Sequence, residues 1–353
     1  MDFQSKERMS ESPSIPVQNL YYLLCYAWDR LDESHLINVS ATASDVPVNF
    51  FASVLIKGIE HLKRRGLNMV YRTTYAELPG VRGRIDVTAT ERRSLLRQGR
   101  SACSFDELTT DTAANRILKS TLRVISSDPE IDKDTGSQVR KWIKDFGAIA
   151  DVPASIQSFR TIHLDRNSSF YRFLLNVCEF ILIVRTPEET AGHLKFRNFV
   201  RDEKKMAYLF QYFVFNFLRI ERRDLIVKRE NIAWKTEPLP DGVQSLLPMM
   251  QTDISVVKNR QKIIIDTKYY QNTLSDHRGA KRIHSDHLYQ ILSYLTNAQT
   301  PGESIEGILL YPFVDKTLKE RYRILGINIR VETLNLAQPW NLLHNDLMQL
   351  VTL

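Results

Sequence analysis

Cysteine is scarce in this chain of 353 residues. The three present, Cys25, Cys103 and Cys178, are odd in number, far apart and mostly in apolar contexts. That argues against a disulfide framework or a cysteine zinc site and fits reduced core thiols. No apolar stretch approaches the roughly 20 residues needed to span a bilayer. The opening segment, Met1 to Pro16, is polar and lacks the hydrophobic region of a secretory signal, so a cytoplasmic protein is expected. No Gly-x-x-x-x-Gly-Lys-Ser/Thr occurs. The nearest approach, Gly80-Val81-Arg82-Gly83, is too short and has no lysine, which speaks against nucleoside triphosphate hydrolysis through a P-loop. A Gly-x-Ser-x-Gly elbow is missing too, leaving serine-hydrolase chemistry without support. There is no low-complexity tract and no internal repeat.

What remains is a globular composition with enough length for two domains, each with its own core. The net charge of +7 suits a polyanionic partner without requiring one. Apolar spacing predicts an amphipathic helix over Ile15 to Leu31 and another from about Asn49 to Arg65, stopped at Gly66. Ser34 to Val48 reads as a loop. The period then changes: Tyr71, Thr73 and Tyr75, followed by Ile85 and Val87, suggest strands around the turn Leu78 to Gly83. Arg72, Arg82, Arg84, Arg92, Arg93, Arg97 and Arg100 make this the most arginine-dense part of the chain. It is either a solvated face with scattered ion pairs or a contact surface for DNA or an acidic protein.

A helix is expected from about Asp111 to Ser126, and Pro153 with a mixed polar stretch divides the chain into residues 1–160 and 161–353. The first part reads as α+β, helices plus a small β unit. The second reads as α/β, a mixed sheet flanked by helices. Its elements are helices over Tyr171 to Val184, Met206 to Ile220 and His287 to Leu295, with strands near Asp253, from Ile263 to Lys268, and over Gly307 to Pro312 and Ile327 to Thr333. The aromatics of Met206 to Ile220 cover nearly every side, which suits a core helix better than a base-stacking one. Trp234 to Pro248 is a loop, and Thr273 to Arg282 is polar, basic and expected to be mobile.

The chemistry concentrates at Ile263-Ile264-Ile265-Asp266-Thr267-Lys268, an apolar strand ending in Asp-x-Lys. Residues two apart on a strand share a face, so Asp266 and Lys268 lie side by side, roughly 6–7 Å apart along the backbone. Lys258-Asn259-Arg260-Gln261 is short and polar enough to close a hairpin that carries Asp253 next to Asp266. Two carboxylates can then hold Mg²⁺, which takes one or two carboxylates with water and phosphate, and the Thr267 carbonyl offers a further ligand. Lys268 can orient the attacking water or offset phosphate charge, the needs of a metal-dependent phosphodiesterase. The same residues also suit an ordinary surface ion pair. Gln290 and Tyr294, at i and i+4 on the next helix, could reach the Asp266–Lys268 edge. Arg278, Lys281, Arg282, His284 and His287 are phosphate-neighbour candidates. His284-x-x-His287 lacks the further ligands of a zinc site.

This constellation resembles the PD-(D/E)xK nuclease superfamily, with Asp253 as first acid, Asp266-Thr267-Lys268 as the D-x-K, and Gln290-Ile291-Leu292-Ser293-Tyr294 as a Q-x-x-x-Y motif. Several stretches together resemble the McrC family, nuclease subunits of McrBC modification-dependent restriction systems. In the N-terminal half they are Ile15 to Leu24 with Tyr26-Ala27-Trp28, Pro79 to Ile85, and Ser104 to Leu108 leading to Asn115 to Lys119. In the C-terminal half they are Leu247 to Ile254, Asp266 to Tyr270 and His287 to Gln290. The resemblance implies a PD-(D/E)xK restriction-endonuclease-like domain over 161–353 that cuts double-stranded DNA with Mg²⁺. It also implies a domain over 1–160 that docks on an McrB-like AAA+ GTPase hexamer, inserts a finger into its pore and stimulates GTP hydrolysis. Recognition of the modified cytosine would fall to the GTPase. Where many superfamily members carry a further metal-binding acid, this chain has Gln211, which implies weaker Mg²⁺ binding. The competing expectation is a nuclease-inactive protein that only activates the ring.

Overall fold

The computed structural model describes residues 15–34, 46–160, 162, 164, 168–185, 202–237, 246–269, 275–277, 280–313 and 317–351. Among these the longer helices are α1 (Val17–Ala27), α2 (Pro47–Arg65), α3 (Ala113–Ser126), α4 (Lys133–Asp145), α5 (Ser169–Arg185), α6 (Glu203–Glu221), α7 (Ser285–Ala298) and α8 (Trp340–Leu350). No helix among the described residues is long and apolar enough to cross a membrane. The chain forms two compact units, Ile37–Gly192 and a discontinuous one built from Met1–Leu36 with His193–Leu353. Composition alone divides it at 160/161.

In the unit of residues 37–192, α2 buries Phe51, Val54, Leu55, Ile59 and Leu62, the stripe read from its spacing. Pro47 opens the helix, where a missing backbone N–H costs nothing. Thr112 caps α3 by accepting from Asn115 N, and Asp132 caps α4 by accepting from Thr135 N at 2.7 Å. The Asn115 amide nitrogen donates to the carbonyls of Asn68 (2.9 Å) and Thr110 (2.7 Å), and Tyr171 donates to its oxygen at 3.0 Å. Those bonds fasten both ends of a long ribbon to the helices. The ribbon pairs β1 (Val70–Pro79) with β3 (Arg100–Thr109) antiparallel over ten residue pairs, with β2 (Arg84–Ile85) added outside β3. Gly83, at φ 66°, lets β2 lie against β3, because a Cβ there would collide with the Ser104 carbonyl oxygen. Val87 departs from the strand expectation. Asp86 accepts from Ala89 N at 2.9 Å and so starts a short helix, Val87–Arg92.

In the other unit, β4 (Ile226–Lys228) leads to β5 (Asn231–Ile232), which pairs with β6 (Met250–Gln251). β7 (Ile254–Lys258), β8 (Gln261–Thr267), β11 (Ser304–Pro312), β12 (Lys319–Ile324) and β13 (Ile327–Leu334) join β4 in a mixed sheet ordered β12-β13-β11-β8-β7-β4. β8, β11 and β13 run parallel at its centre. α7 crosses from β8 to β11, and Ile291, Tyr294 and Leu295 pack in one cluster with Ile264 and Leu309. A Cβ on Gly307 would come within 2.6 Å of Leu295 Cδ1, so glycine permits the helix to sit this close. α1 packs with α6 in this unit: Asn216 donates to the Tyr26 carbonyl at 2.8 Å, and the Tyr26 hydroxyl donates to Glu221 at 2.7 Å. Met206, Phe210, Phe213, Val214 and Phe217 of α6 are buried as expected, but Tyr208 is 62% exposed, so one face of this helix is open. Residues 275–282, read as mobile, include a two-stranded ribbon of β9 (Ser275–His277) and β10 (Ala280–Arg282). All three cysteines are buried, and none forms a disulfide.

Candidate active site

The β7–β8 hairpin closes through Asn259, whose φ of 54° suits asparagine better than a branched residue. Its register pairs Ile254 with Ile265, and one step further sets Asp253 opposite Asp266. Cross-strand partners share a face, and alternation puts Asp266 on the Ile264 side, toward α7. Thr252, fully buried, anchors the approach to Asp253 by donating its N–H to the Glu230 carbonyl at 3.0 Å.

Asp253 is oriented from three directions. Gln211 Nε2 of α6 donates to Oδ1 at 2.9 Å, while Thr267 donates to Oδ2 through its backbone N–H and its hydroxyl, each at 2.9 Å. Those bonds fill the two acceptor positions of Oδ2 and leave one on Oδ1. Asp266 contrasts with this. It is 1% exposed, and neither of its oxygens has a hydrogen-bond partner. Lys268 Nζ lies 3.0 Å from Oδ2, near enough for ion pairing but off the alignment of a hydrogen bond. Burial pushes the Asp266 carboxyl up to about 7; the Lys268 ammonium opposes this and the Asp253 charge adds to it.

Lys268 is steadied from α7. Its ammonium donates to Gln290 Oε1 at 2.8 Å, and Gln290 Nε2 donates to the Tyr294 hydroxyl at 2.8 Å. Its backbone N–H donates to the Leu310 carbonyl, extending the parallel β8–β11 pairing. Gln290 and Tyr294 do face the same way, as i, i+4 spacing requires, but only Gln290 touches the lysine. Tyr294 is buried and is linked to Lys268 through Gln290.

Two orphaned carboxylate oxygens beside a second acid form a donor set suited to a hard divalent cation. Among the described residues no group of three or more His, Cys, Asp or Glu gathers to hold a metal. The carboxylates that could hold such a cation are therefore Asp253 and Asp266, which would leave further positions for water, phosphate or the Thr267 carbonyl. Gln211 does not stand where it must ligate a metal; its amide nitrogen is turned to Asp253.

The phosphate-neighbour candidates separate. Arg278 lies outside the described residues. Lys281 lies on β10 with its side chain outside them, and Arg282 ends that strand, exposed. The His284 ring lies just ahead of α7 against His287, centroids 4.8 Å apart. His287 turns inward to Tyr311, its Nδ1 2.8 Å from the hydroxyl, and burial together with the Lys268 charge lowers it to about 4. It is a neutral core histidine rather than a phosphate contact. Sequence reasoning missed the Thr267 hydroxyl and the donor role of Gln211. A β-branched hydroxyl residue between Asp and Lys was the available signal for the first.

A family model described as McrBC 5-methylcytosine restriction system component matches residues 5–312. The chain belongs to this family. A relative from Escherichia coli strain K12, described as Type IV methyl-directed restriction enzyme EcoKMcrBC, is 35% identical over 341 residues, 96% of this chain and 98% of the relative. A solved assembly of Thermococcus gammatolerans McrB AAA+ hexamers with bound McrC contains a chain of similar fold. Its TM-score is 0.61 at 15% identity, over 95% of this chain and 76% of that one.

Proposed function

We propose that this member of the McrBC family is the DNA endonuclease subunit of a GTP-dependent restriction complex directed at modified cytosine, with a PD-(D/E)xK-type site over its C-terminal sheet. The observation that carries this reading is the convergence of Asp253, Asp266 and Lys268 at the open end of the β7–β8 hairpin, with neither Asp266 oxygen hydrogen-bonded. Asp253 and Asp266 would hold Mg²⁺. When bound, Mg²⁺ neutralises phosphate charge and makes a water nucleophilic. The chain's own residues divide the remaining work. Gln211 and Thr267 fix the Asp253 carboxylate, and the dry surroundings of Asp266 leave its charge to be compensated by a proton or a cation. Gln290, braced by Tyr294, aims the Lys268 ammonium at the phosphate or the incoming water.

The partner expected for the other unit is an McrB-like AAA+ GTPase hexamer, and the β1–β3 ribbon is our choice for the element that engages its pore and stimulates GTP hydrolysis. Tyr71 and Tyr75 are 74% and 77% exposed, and Val81 and Leu96 stand open at the far end. Exposed apolar groups of this size mark contact surfaces. Of the arginines here, Arg72, Arg82 and Arg93 face Asp111, Glu107 and Glu77, and the others leave a basic fringe. The test is to mix the chain with its GTPase partner, Mg²⁺, GTP, and methylated or unmethylated DNA. Double-strand cuts confined to methylated DNA and dependent on both GTP and Mg²⁺ are expected. Stimulated GTP hydrolysis without cuts would leave only the ring-activating role.

A further inference from the structure

One arginine near the carboxylates takes no part in the network above. Arg229 lies exposed between β4 and β5. It donates from one terminal nitrogen to the Tyr212 hydroxyl at 2.9 Å and from the other to Gln251 Oε1 at 3.0 Å, with its guanidinium carbon 5.6 Å from the Tyr212 ring centroid. Both acceptors are neutral. Elsewhere in the same unit Arg219, Arg222 and Arg330 pair with Asp29, Asp224 and Glu306 or Glu332, whereas Arg229 has no carboxylate within ion-pair distance among the described residues. Its orientation is thus fixed while its charge stays uncompensated, and three of its five N–H donors remain available.

Both tethers lead to the acid pair. Gln251 is two residues ahead of Asp253 and is itself held by Asn231 at 3.1 Å. Tyr212 follows Gln211, the donor to Asp253. Tyr208 lies against Tyr212 with the rings tilted by 38° and their centroids 4.4 Å apart, one helical turn before Gln211 and on the open face of α6.

We propose that Arg229, with the Tyr212 hydroxyl and the Tyr208 ring, forms a DNA-phosphate subsite flanking the scissile bond. The guanidinium fork takes the phosphate of a nucleotide next to the cut, and Tyr208 packs against its sugar. This rests on the nuclease reading. A fork already held by neutral groups pays little ordering entropy on meeting an anion, and its planar donors match phosphate oxygens. The contact registers the duplex and carries no sequence preference, in keeping with a chain that cuts rather than reads.

The test is binding of the full-length chain to a short labelled duplex, followed by fluorescence anisotropy across a salt series with Ca²⁺ in place of Mg²⁺. Arg229→Gln keeps polar contacts and removes the charge. It should weaken binding and reduce the slope of log affinity against log salt by about 1, the share of one phosphate contact. Arg229→Lys should restore most of the slope, and Tyr208→Ala should weaken binding with the slope unchanged. Arg321→Gln, on β12 at the opposite edge of the sheet, should match wild type. In the reconstituted complex Arg229→Gln should raise KM and leave kcat near wild type. An unchanged slope for Arg229→Gln overturns the subsite, and if wild type still cuts, the nuclease reading stands. A reduced slope in a complex that never cuts keeps the subsite and removes the nuclease reading.

Discussion

The β1–β3 ribbon and the β7–β8 hairpin are both antiparallel pairs, yet they put their side chains to opposite uses. Six of the ten positions in β1 are exposed, the other four are only half-covered, and none is buried. In β8 the last five residues, Ile263 to Thr267, are all buried. The ribbon displays tyrosines and arginines to solvent, where individual charges are screened and worth little until something covers them. The hairpin removes water from a carboxylate, which makes the neighbouring charges strong and leaves the acid short of a partner. Display suits docking, and desolvation suits chemistry.

That contrast breaks most sharply under paired substitutions. Asp266→Ala and Lys268→Ala are each expected to lower cleavage by the reconstituted complex at least about 10²-fold, the usual cost of losing an electrostatic group at the reacting centre, with GTPase stimulation retained. Tyr71→Ala combined with Tyr75→Ala should instead abolish co-elution with the GTPase and its stimulation, leaving the melting curve of the isolated chain unchanged. If the hairpin variants fail to assemble, or the ribbon variant assembles normally, the division of labour is wrong.

Gln211→Glu sharpens the hairpin's side of the comparison. It sets a third carboxylate where an amide now sits 2.9 Å from Asp253. The variant should melt lower than wild type in a chelator, from like-charge repulsion, and bind Mg²⁺ several-fold more tightly by calorimetry. No gain in affinity would show that the neutral amide does not weaken the site.

Asp266 also gives the metal-free protein a pH dependence that the open ribbon cannot. Its carboxyl is raised to about 7 in the fold, against about 3.9 in an unfolded chain, so between those values the folded state binds the extra proton. Stability should therefore fall as pH rises from about 4 to about 7 and level off above. Asp266→Asn should flatten that part of the melting-temperature profile. Because a cation competes with the proton, the melting shift caused by Mg²⁺ should grow as pH rises toward 7; a shift independent of pH over that range would contradict the assignment.

The smallest effect is expected at Thr267. Thr267→Val removes the hydroxyl donor to Asp253 and keeps the backbone donor, so a loss of about 0.5–1.5 kcal/mol is expected, read as weaker Mg²⁺ binding, with Thr267→Ser close to wild type.

Much of the hairpin was legible beforehand because period-2 alternation and a two-residue polar turn act locally. Asp253, Asp266 and Lys268 come together by register alone. The helices α2 and α3 were equally readable from their apolar stripes, and α5 from its continuous apolar run. The fate of His287 was not, since a histidine at a helix start reads the same whether it meets phosphate or, as here, Tyr311. Val87 turned helical because one side chain, Asp86, capped the backbone at a place where local propensity favoured a strand. Tyr208 sits in an aromatic run that looks buried on every side, yet among the described residues it is 62% exposed.

By itself, the order of residues fixed which groups could meet across a strand pair and which helix faces were apolar, because those relations span a few residues and follow from backbone geometry. Only the tertiary structure decided that Asp266 would be dry, that Gln211 would donate to Asp253 across a gap of 42 residues, and that Arg229 would keep its charge uncompensated. Burial and ion pairing depend on which distant segments arrive at the same place, and no local pattern encodes that.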